Sequence, residues 1–262
     1  MHGISRASVV RAMQLYGVTA RDQFAAQHIR NAQATIPLTA RQEQLIFGSL
    51  LGDACLHRDR LVSNKTGIER QYLGLDFFHT EAQLPYLLHK RDIMGPSRKT
   101  GRTLNLITRT SGHGSRMVGI VFKHTPTLEP VADVAFGTND KKYVSDAWVE
   151  KLDWEGLAFW YQDDGSLRRS KTNDSVIFYT NAFSTEEVER LRGVLGRFGV
   201  EHTRIAWARQ NSGHAQPTIA CGRRQEVTSF LTKIAPFVVP SMRYKLRCLP
   251  AFGSCVKGSE LN

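Results

Sequence analysis

With 262 residues and 41% hydrophobic side chains, the chain can fill a real core and suits one large domain or two fused smaller ones, which excludes a disordered polymer. Thirty-five Lys and Arg stand against 24 Asp and Glu, a formal charge of +11, which points to a polyanionic partner; a merely soluble basic protein is the plainer alternative. No apolar run approaches the roughly 20 residues a membrane span needs, and no basic amphipathic helix stands out, so no membrane partner is expected.

Residues 1–38 read as an N-terminal helical extension. Ser5 is placed to cap a short helix with an apolar face of Val9, Met13 and Tyr16, stopped by Gly17, and a second helix follows from Thr19 or Arg21. The pair fits a small helix-turn-helix or a plain packing arm, and no second feature supports the former. The start, Met1 to Arg6, lacks the apolar core of a secretory signal, and Asp22 argues against a transit peptide. The chain is therefore expected inside a cell, in the cytoplasm of a prokaryote or phage-infected cell, or in an organelle, and not secreted. Cys55, Cys221, Cys248 and Cys255 have neither zinc-like spacing nor the density of a disulfide framework, and read as buried or inert thiols.

Two later segments each run an apolar, helix-like stretch into an acidic residue followed by a small one: Phe47 to Ala54, with Asp53, and Phe159 to Gly165, with Asp164. A carboxylate ending an apolar helix is costly to bury unless a cation or hydrogen-bond donors meet it, so the repetition suggests two equivalent cation sites. Strand-like runs follow at Tyr72–Phe78 and Val176–Phe183, then helices from Thr80 and Thr185 that stop near Gly95 and Gly199. Ser111-Gly112-His113 and Ser212-Gly213-His214 each read as the turn of a hairpin, and Lys142 and Lys245 lie in closing basic segments. Thr80 to Lys142 is 62 residues and Thr185 to Lys245 is 60, while the aspartate-to-threonine intervals of 27 and 21 place a six-residue insertion near Ser63–Gly67. Four correspondences in order predict an α+β fold of two tandem αββαββα repeats, residues 39–150 and 151–250, with a loose tail at 251–262.

Laid against a nine-letter pattern, Ile46–Ala54 and Leu157–Gly165 resemble the two motif copies of the single-chain LAGLIDADG homing endonucleases, the second in the form with a tryptophan and a DDG ending. Tyr244-Lys245-Leu246 is similar to the closing lysine segment of that repeat. Ala54 and Phe159 depart from the pattern at positions where glycine is usual. The resemblance implies a pseudo-symmetric molecule, with the motif helices packed as the interface between repeats and two saddle-shaped antiparallel sheets lying in the DNA major groove. Independently, Gly48 and Gly52 share one helix face and permit close approach of another helix; Ala158 is the comparable small residue of the second motif.

The resemblance further implies that Asp53 and Asp164, helped by the backbone carbonyls of Gly52 and Asp163, hold two or three Mg²⁺ ions, with Mn²⁺ or Ca²⁺ able to substitute for binding. Lys142, with Lys141 as its neighbouring rival, and Lys245 fit the family's basic active-site positions. Asp76 and Asn181 occupy places four residues before Thr80 and Thr185 and are secondary active-site candidates. DNA contacts are expected from Arg58, Arg60, Arg98, Lys99, Arg102 and Arg109 in one half, and from Arg168, Arg169, Lys171, Arg204, Arg209, Arg223 and Arg224 in the other. Tyr72, Phe78 and Trp207 read as core or hairpin packing. The expected activity is a monomeric, site-specific endonuclease making a double-strand break in a long DNA site and promoting mobility of its intron. The alternatives on the same fold are a maturase that binds its group I intron RNA and a catalytically silent DNA-binding regulator. The paired aspartates and lysines favour the nuclease, since RNA or DNA binding alone does not require them.

Overall fold

Thr39 opens the first motif helix, α1 (Ala40–Leu50), with a capping box: its hydroxyl accepts from the Gln42 amide and the Gln42 side chain accepts from the Thr39 amide. The computed structural model describes residues 36–62, 69–97, 101–112, 114–137, 139–170, 173–209 and 215–252, and all that follows concerns the unit of residues 38–262, separate from residues 1–37. The helices expected before residue 36, the insertion at Ser63–Gly67, the Ser212-Gly213-His214 turn and the chain beyond Phe252 lie outside the described residues.

From α1 the chain enters the hairpin β1 (Ala54–Val62) and β2 (Glu69–Thr80), then α2 (Leu84–Met94), β3 (Ile107–Thr110), β4 (Arg116–Lys123), α3 (Thr125–Ala135) and the short α4 (Asp146–Glu150). The sequence of elements then repeats. Asp153 caps the second motif helix, α5 (Trp154–Asp164), by accepting from the amides of Glu155 and Gly156. It is followed by β5 (Gly165–Arg168), β6 (Ser175–Tyr179), α6 (Thr185–Arg197), β7 (Thr203–Arg209), β8 (Ala215–Cys221), α7 (Arg224–Ile234) and a 3₁₀ segment, Pro240–Leu246. The antiparallel sheets have matching orders, β1-β2-β4-β3 and β5-β6-β8-β7. The fold is α+β, with tandem αββαββα repeats.

One buried apolar cluster runs through both repeats and encloses both motif helices, so Leu45, Phe47, Leu50, Leu157, Phe159, Trp160 and Tyr161 are all within 1% of full burial. Strand alternation turns Leu56, Leu75 and Phe77 toward that core and leaves Cys55, His57, Tyr72 and Asp76 on the opposite, open face. In the second sheet the open face carries Ser166, Arg168, Ile177 and Arg204.

Several expectations shift. The second strand stops at Tyr179 rather than reaching Phe183: the next ladder partner is Pro217, which has no N–H, and Thr180 instead donates its hydroxyl to the Pro217 carbonyl at 2.7 Å. Thr80 opens a 3₁₀ turn, Glu81–Gln83, that leads into α2, whereas Ser184 caps α6 directly and Thr185 is already its first residue. The length difference also has two sources. Asp53 precedes Phe77 by 24 residues and Asp164 precedes Phe178 by 14, so the first hairpin is ten residues longer, partly offset by a longer strand-to-helix link in the second repeat. Gly95 and Gly199 end their helices at φ 72° and 80°, as helix-stopping glycines should. Cys55 is exposed, not buried, and Trp207 is 59% exposed.

Candidate active site

Two glycines let the motif helices meet backbone to backbone. A Cβ at Gly48 would lie 2.2 Å from the Gly156 carbonyl oxygen, and one at Gly52 would lie 2.4 Å from the Asp163 Cβ. The small residue opposite Gly48 is therefore Gly156, one position before the nine-residue motif, and not Ala158. Across the same interface Gln44 accepts from the Asp153 amide and donates to the Lys151 carbonyl, and Arg41 pairs with Glu155 at 2.8 Å. Locked side by side, α1 and α5 hand over to β1 and β5 at the same end, which sets Asp53 and Asp164 beside each other.

Their proximity is visible in their acidity. Burial first, then the charges of Asp53 and Asp163, push the Asp164 carboxyl up to about 7, against the pull of Lys245 and Lys142. Burial would also raise Asp53, but His79, Lys90 and Lys245 outweigh it and hold that carboxyl below the ordinary value. His79 Nδ1 lies 3.3 Å from Asp53 Oδ2.

Each motif helix ends beside these carboxylates with unpaired carbonyls, the negative pole of its dipole. A lysine meets each end. Lys142 donates to the Leu50 carbonyl at 2.9 Å, and Lys245 donates to those of Tyr161, Gln162 and Asp163 at 3.3, 2.6 and 3.2 Å. Burial lowers both ammoniums below the usual lysine range, against the opposing pull of Cys55, Asp164 and Glu187 on Lys142 and of Asp163, Asp53 and Asp164 on Lys245. Lys141 is exposed, so of the two neighbours it is Lys142 that enters the site. A cleft of about 300 Å³ opens over Asp164, lined by Ser166, Leu167, Tyr179, Tyr244 and Lys245.

Asp163 has a part that its sequence position did not reveal. Both carboxylate oxygens accept from Lys90 Nζ, at 2.7 and 2.9 Å, and one also accepts from the Tyr86 hydroxyl at 2.8 Å. Lys90 and Asp163 side chains are 0% exposed, so α2 of the first repeat is tied to α5 of the second by a dry ion pair directly beneath the aspartates. The carboxylate oxygens of Asp53 and Asp163 and a His79 nitrogen lie within 4.8 Å of one another. That trio does not fit a cation, because the Lys90 ammonium already holds Asp163. Asp53 and Asp164 do fit one: two adjacent carboxylates, one kept acidic and the other raised by its neighbour, form an all-oxygen donor set suited to a hard cation. The Asp163 carbonyl also accepts from Lys245, at 3.2 Å.

Asp76 and Asn181 are not equivalents. Ala54 pairs with Phe77 and Gly165 with Phe178, so the counterpart of Asp76 is Ile177 and that of Asn181 is Thr80. Asp76 lies inside β2 on the open face, its Oδ1 4.0 Å from His57 Nδ1, and burial raises its carboxyl against the pull of His57. Asn181 is an exposed turn residue.

Among the expected DNA contacts, Arg109 lies on the open face with its guanidinium 3.5 Å from the centre of the Phe78 ring, and Arg168 and Arg204 share the open face of the second sheet. Lys123, overlooked in the sequence, joins them by register, its ammonium 4.9 Å from the Tyr72 ring centre. Arg58 and Arg60 have the opposite parity. Arg58 turns to the helix side, 3.6 Å from Glu129 and 3.3 Å from Asp140, and Arg60 lies 3.6 Å from Glu69. Arg223 and Arg224 sit at the start of α7, off the strands, where Arg223 pairs with Glu226 at 3.6 Å. Arg102 and Arg169 are exposed beside the strands and Arg209 ends β7, whereas Arg98, Lys99 and Lys171 lie outside the described residues. No helix among the described residues is long and apolar enough to cross a membrane.

A model of the LAGLIDADG DNA endonuclease family matches residues 43–222. Similar proteins include the DNA endonuclease I-ChuI of Chlamydomonas applanata, 29% identical over 80% of this chain and 95% of that one. Another is a Protein RecA of Mycobacterium shimoidei, 28% identical over 82% of this chain; the chain spans about half the length of that relative, 48%. Among solved structures, the homing endonuclease I-WcaI bound to its DNA recognition sequence superposes with a TM-score of 0.61 at 21% identity, covering 89% of this chain and 96% of that one.

Proposed function

Because the chain belongs to the LAGLIDADG DNA endonuclease family, we propose that it is a site-specific endonuclease that cuts both strands of a long duplex DNA site, with Mg²⁺ as its cation, and that the break promotes mobility of its intron. The observation that carries the reading is the placement of Asp53 and Asp164 at the joined ends of α1 and α5, where burial first and the charge of Asp53 next push Asp164 up to about 7. Bound divalent ions would supply charge neutralisation at the phosphate and a more acidic water. The chain's own residues do the rest. Asp53 and Asp164 hold the ions, and Lys142 and Lys245 present ammoniums next to them, where negative charge builds on the phosphate. Asp76, on the open face one ladder position from the β1 start, serves as a secondary group near the first site.

Repeats 39–150 and 151–250 each engage one half of the DNA, through the open sheet faces bearing Arg109 and Lys123 or Arg168 and Arg204. Since one chain carries both aspartates, it acts as a monomer. The purified protein with Mg²⁺ is incubated with duplexes that include the intronless form of its own locus. One site is expected to be cut in both strands, and EDTA, Asp53→Asn or Asp164→Asn to abolish cutting; full cleavage by both variants would refute the reading.

A further inference from the structure

His79 is a buried histidine whose two ring nitrogens have no hydrogen-bond partner among the described residues, although the side chain is only 1% exposed. A satisfied core histidine would bond at least one nitrogen to a backbone carbonyl or side chain. Its ring instead packs against Tyr86, centroids 5.0 Å apart, and directs Nδ1 at Asp53 Oδ2 across 3.3 Å. Tyr86 in turn holds Asp163, so the ring is braced by the same network that joins the repeats.

We propose that His79 is a positioning residue for Asp53 and that it makes the two strand-cutting half-sites unequal; the inference rests on the endonuclease reading above. At 3.3 Å the separation already suits a hydrogen bond, and a small turn of the ring that aligns Nδ1–H with Oδ2 completes it; such contacts commonly tighten only when a site is loaded. Bonded at Oδ2, Asp53 is confined to one rotamer and its other oxygen stays available to a cation. A group that orients a metal-holding carboxylate from behind typically affects affinity or activity by about 10–100-fold.

The second repeat has no such device. The register that sets Phe77 opposite Ala54 and Phe178 opposite Gly165 makes Thr180 the counterpart of His79. Thr180 is fully buried, and its hydroxyl donates to the Pro217 carbonyl at 2.7 Å, which commits it to the edge of the sheet. Asp164 thus lies between the charges of Lys142 and Lys245 with no such donor among the described residues, while Asp53 has a directional one.

The test uses a cleavable duplex labelled differently on its two strands, under single turnover with Mg²⁺. His79→Phe keeps the ring packed on Tyr86 and removes the donor; it is expected to slow one strand by about 10–100-fold relative to the other and to accumulate a nicked intermediate, with DNA affinity unchanged. His79→Asn, which restores a donor near Nδ1, should recover part of the rate on that strand, and Thr180→Val should introduce no strand bias. Equal slowing of both strands, or none, overturns the proposal. Mn²⁺ titration of the same proteins is independent of cleavage: His79→Phe should weaken one binding step, and an unchanged titration overturns the proposal. A wild-type protein that binds Mn²⁺ but cuts no DNA would sink the endonuclease reading and leave the His79 question to that titration.

Discussion

Asp164→Asn should flatten part of the pH dependence of folding in the metal-free protein. The Asp164 carboxyl is pushed up to about 7, by burial first and by Asp53 and Asp163 next, from an unfolded value of 3.8. Between those values the native chain keeps a proton that the unfolded chain has released. The stability contributed by this group is therefore complete below about pH 4 and is lost as the pH rises through about 7. Three pH units at about 1.36 kcal/mol each give a ceiling of about 4 kcal/mol, and partial exposure of the residue brings the expected loss to about 2–4 kcal/mol. Urea denaturation in EDTA at pH 4.5 and pH 8 measures most of it: the wild type should lose about 2–3 kcal/mol more than Asp164→Asn over that interval. Mg²⁺ in excess at pH 8 should return about 2–3 kcal/mol to the wild type and little to the variant. Parallel pH profiles would mean that Asp53 and Asp164 do not face each other closely enough to interact, and the pairing on which the site rests would fall.

Lys90→Met strands a buried carboxylate and should cost about 3–5 kcal/mol, whereas Lys90→Met with Asp163→Leu should be nearly neutral; thermal melts read both, and a double variant as unstable as the sum of the singles contradicts the dry ion pair. Gly48→Ala drives a methyl into the Gly156 carbonyl and should destabilise by about 1–3 kcal/mol, while Gly193→Ala, with nothing within 4 Å of the new methyl, should be neutral or stabilising. Arg109→Ala and Lys123→Ala should each weaken DNA binding and lower the slope of log K against log salt by up to about 1, but Arg58→Ala should leave the slope unchanged; competition binding at three salt concentrations decides.

Much of this fold could be read from spacing, because its signals are local. Capping residues, positive-φ glycines and the return of an aspartate and a lysine at matched intervals depend on short stretches of chain, and they located both motif helices and both lysines. What escaped depends on tertiary partners. Lys90 on α2 reads in sequence as one more solvated helix lysine; only the packing of α2 against α5 puts it on Asp163. His79 sits two residues past Phe77, on the inward parity of β2, and its nearness to Asp53 follows from β1–β2 pairing and not from any motif. Arg58 and Arg109 are indistinguishable as basic residues near hairpins, yet one-residue parity sends the first to Glu129 and the second to the open face. Gly156 was missed for a simpler reason: it precedes the nine-residue pattern by one position, while the helix that presents it begins at Trp154.

The two lysines resolve what would otherwise be a poor use of two helices. Acidic groups are favoured at helix N-termini and disfavoured at C-termini, where unpaired carbonyls already carry negative potential. Here both motif helices deliver their aspartates at the unfavourable end, side by side, in a partly buried place. Lys142 and Lys245 satisfy the terminal carbonyls and so remove much of the dipole's share of that repulsion, but burial first, then Asp53 and Asp163, still hold Asp164 near 7, so ionising it is unfavourable in the folded state. Such a site is stable without a cation and more stable with one. The third carboxylate of the group, Asp163, is paired internally with Lys90 at 2.7 Å, which leaves Asp53 and Asp164 as the two carboxylates available to a cation.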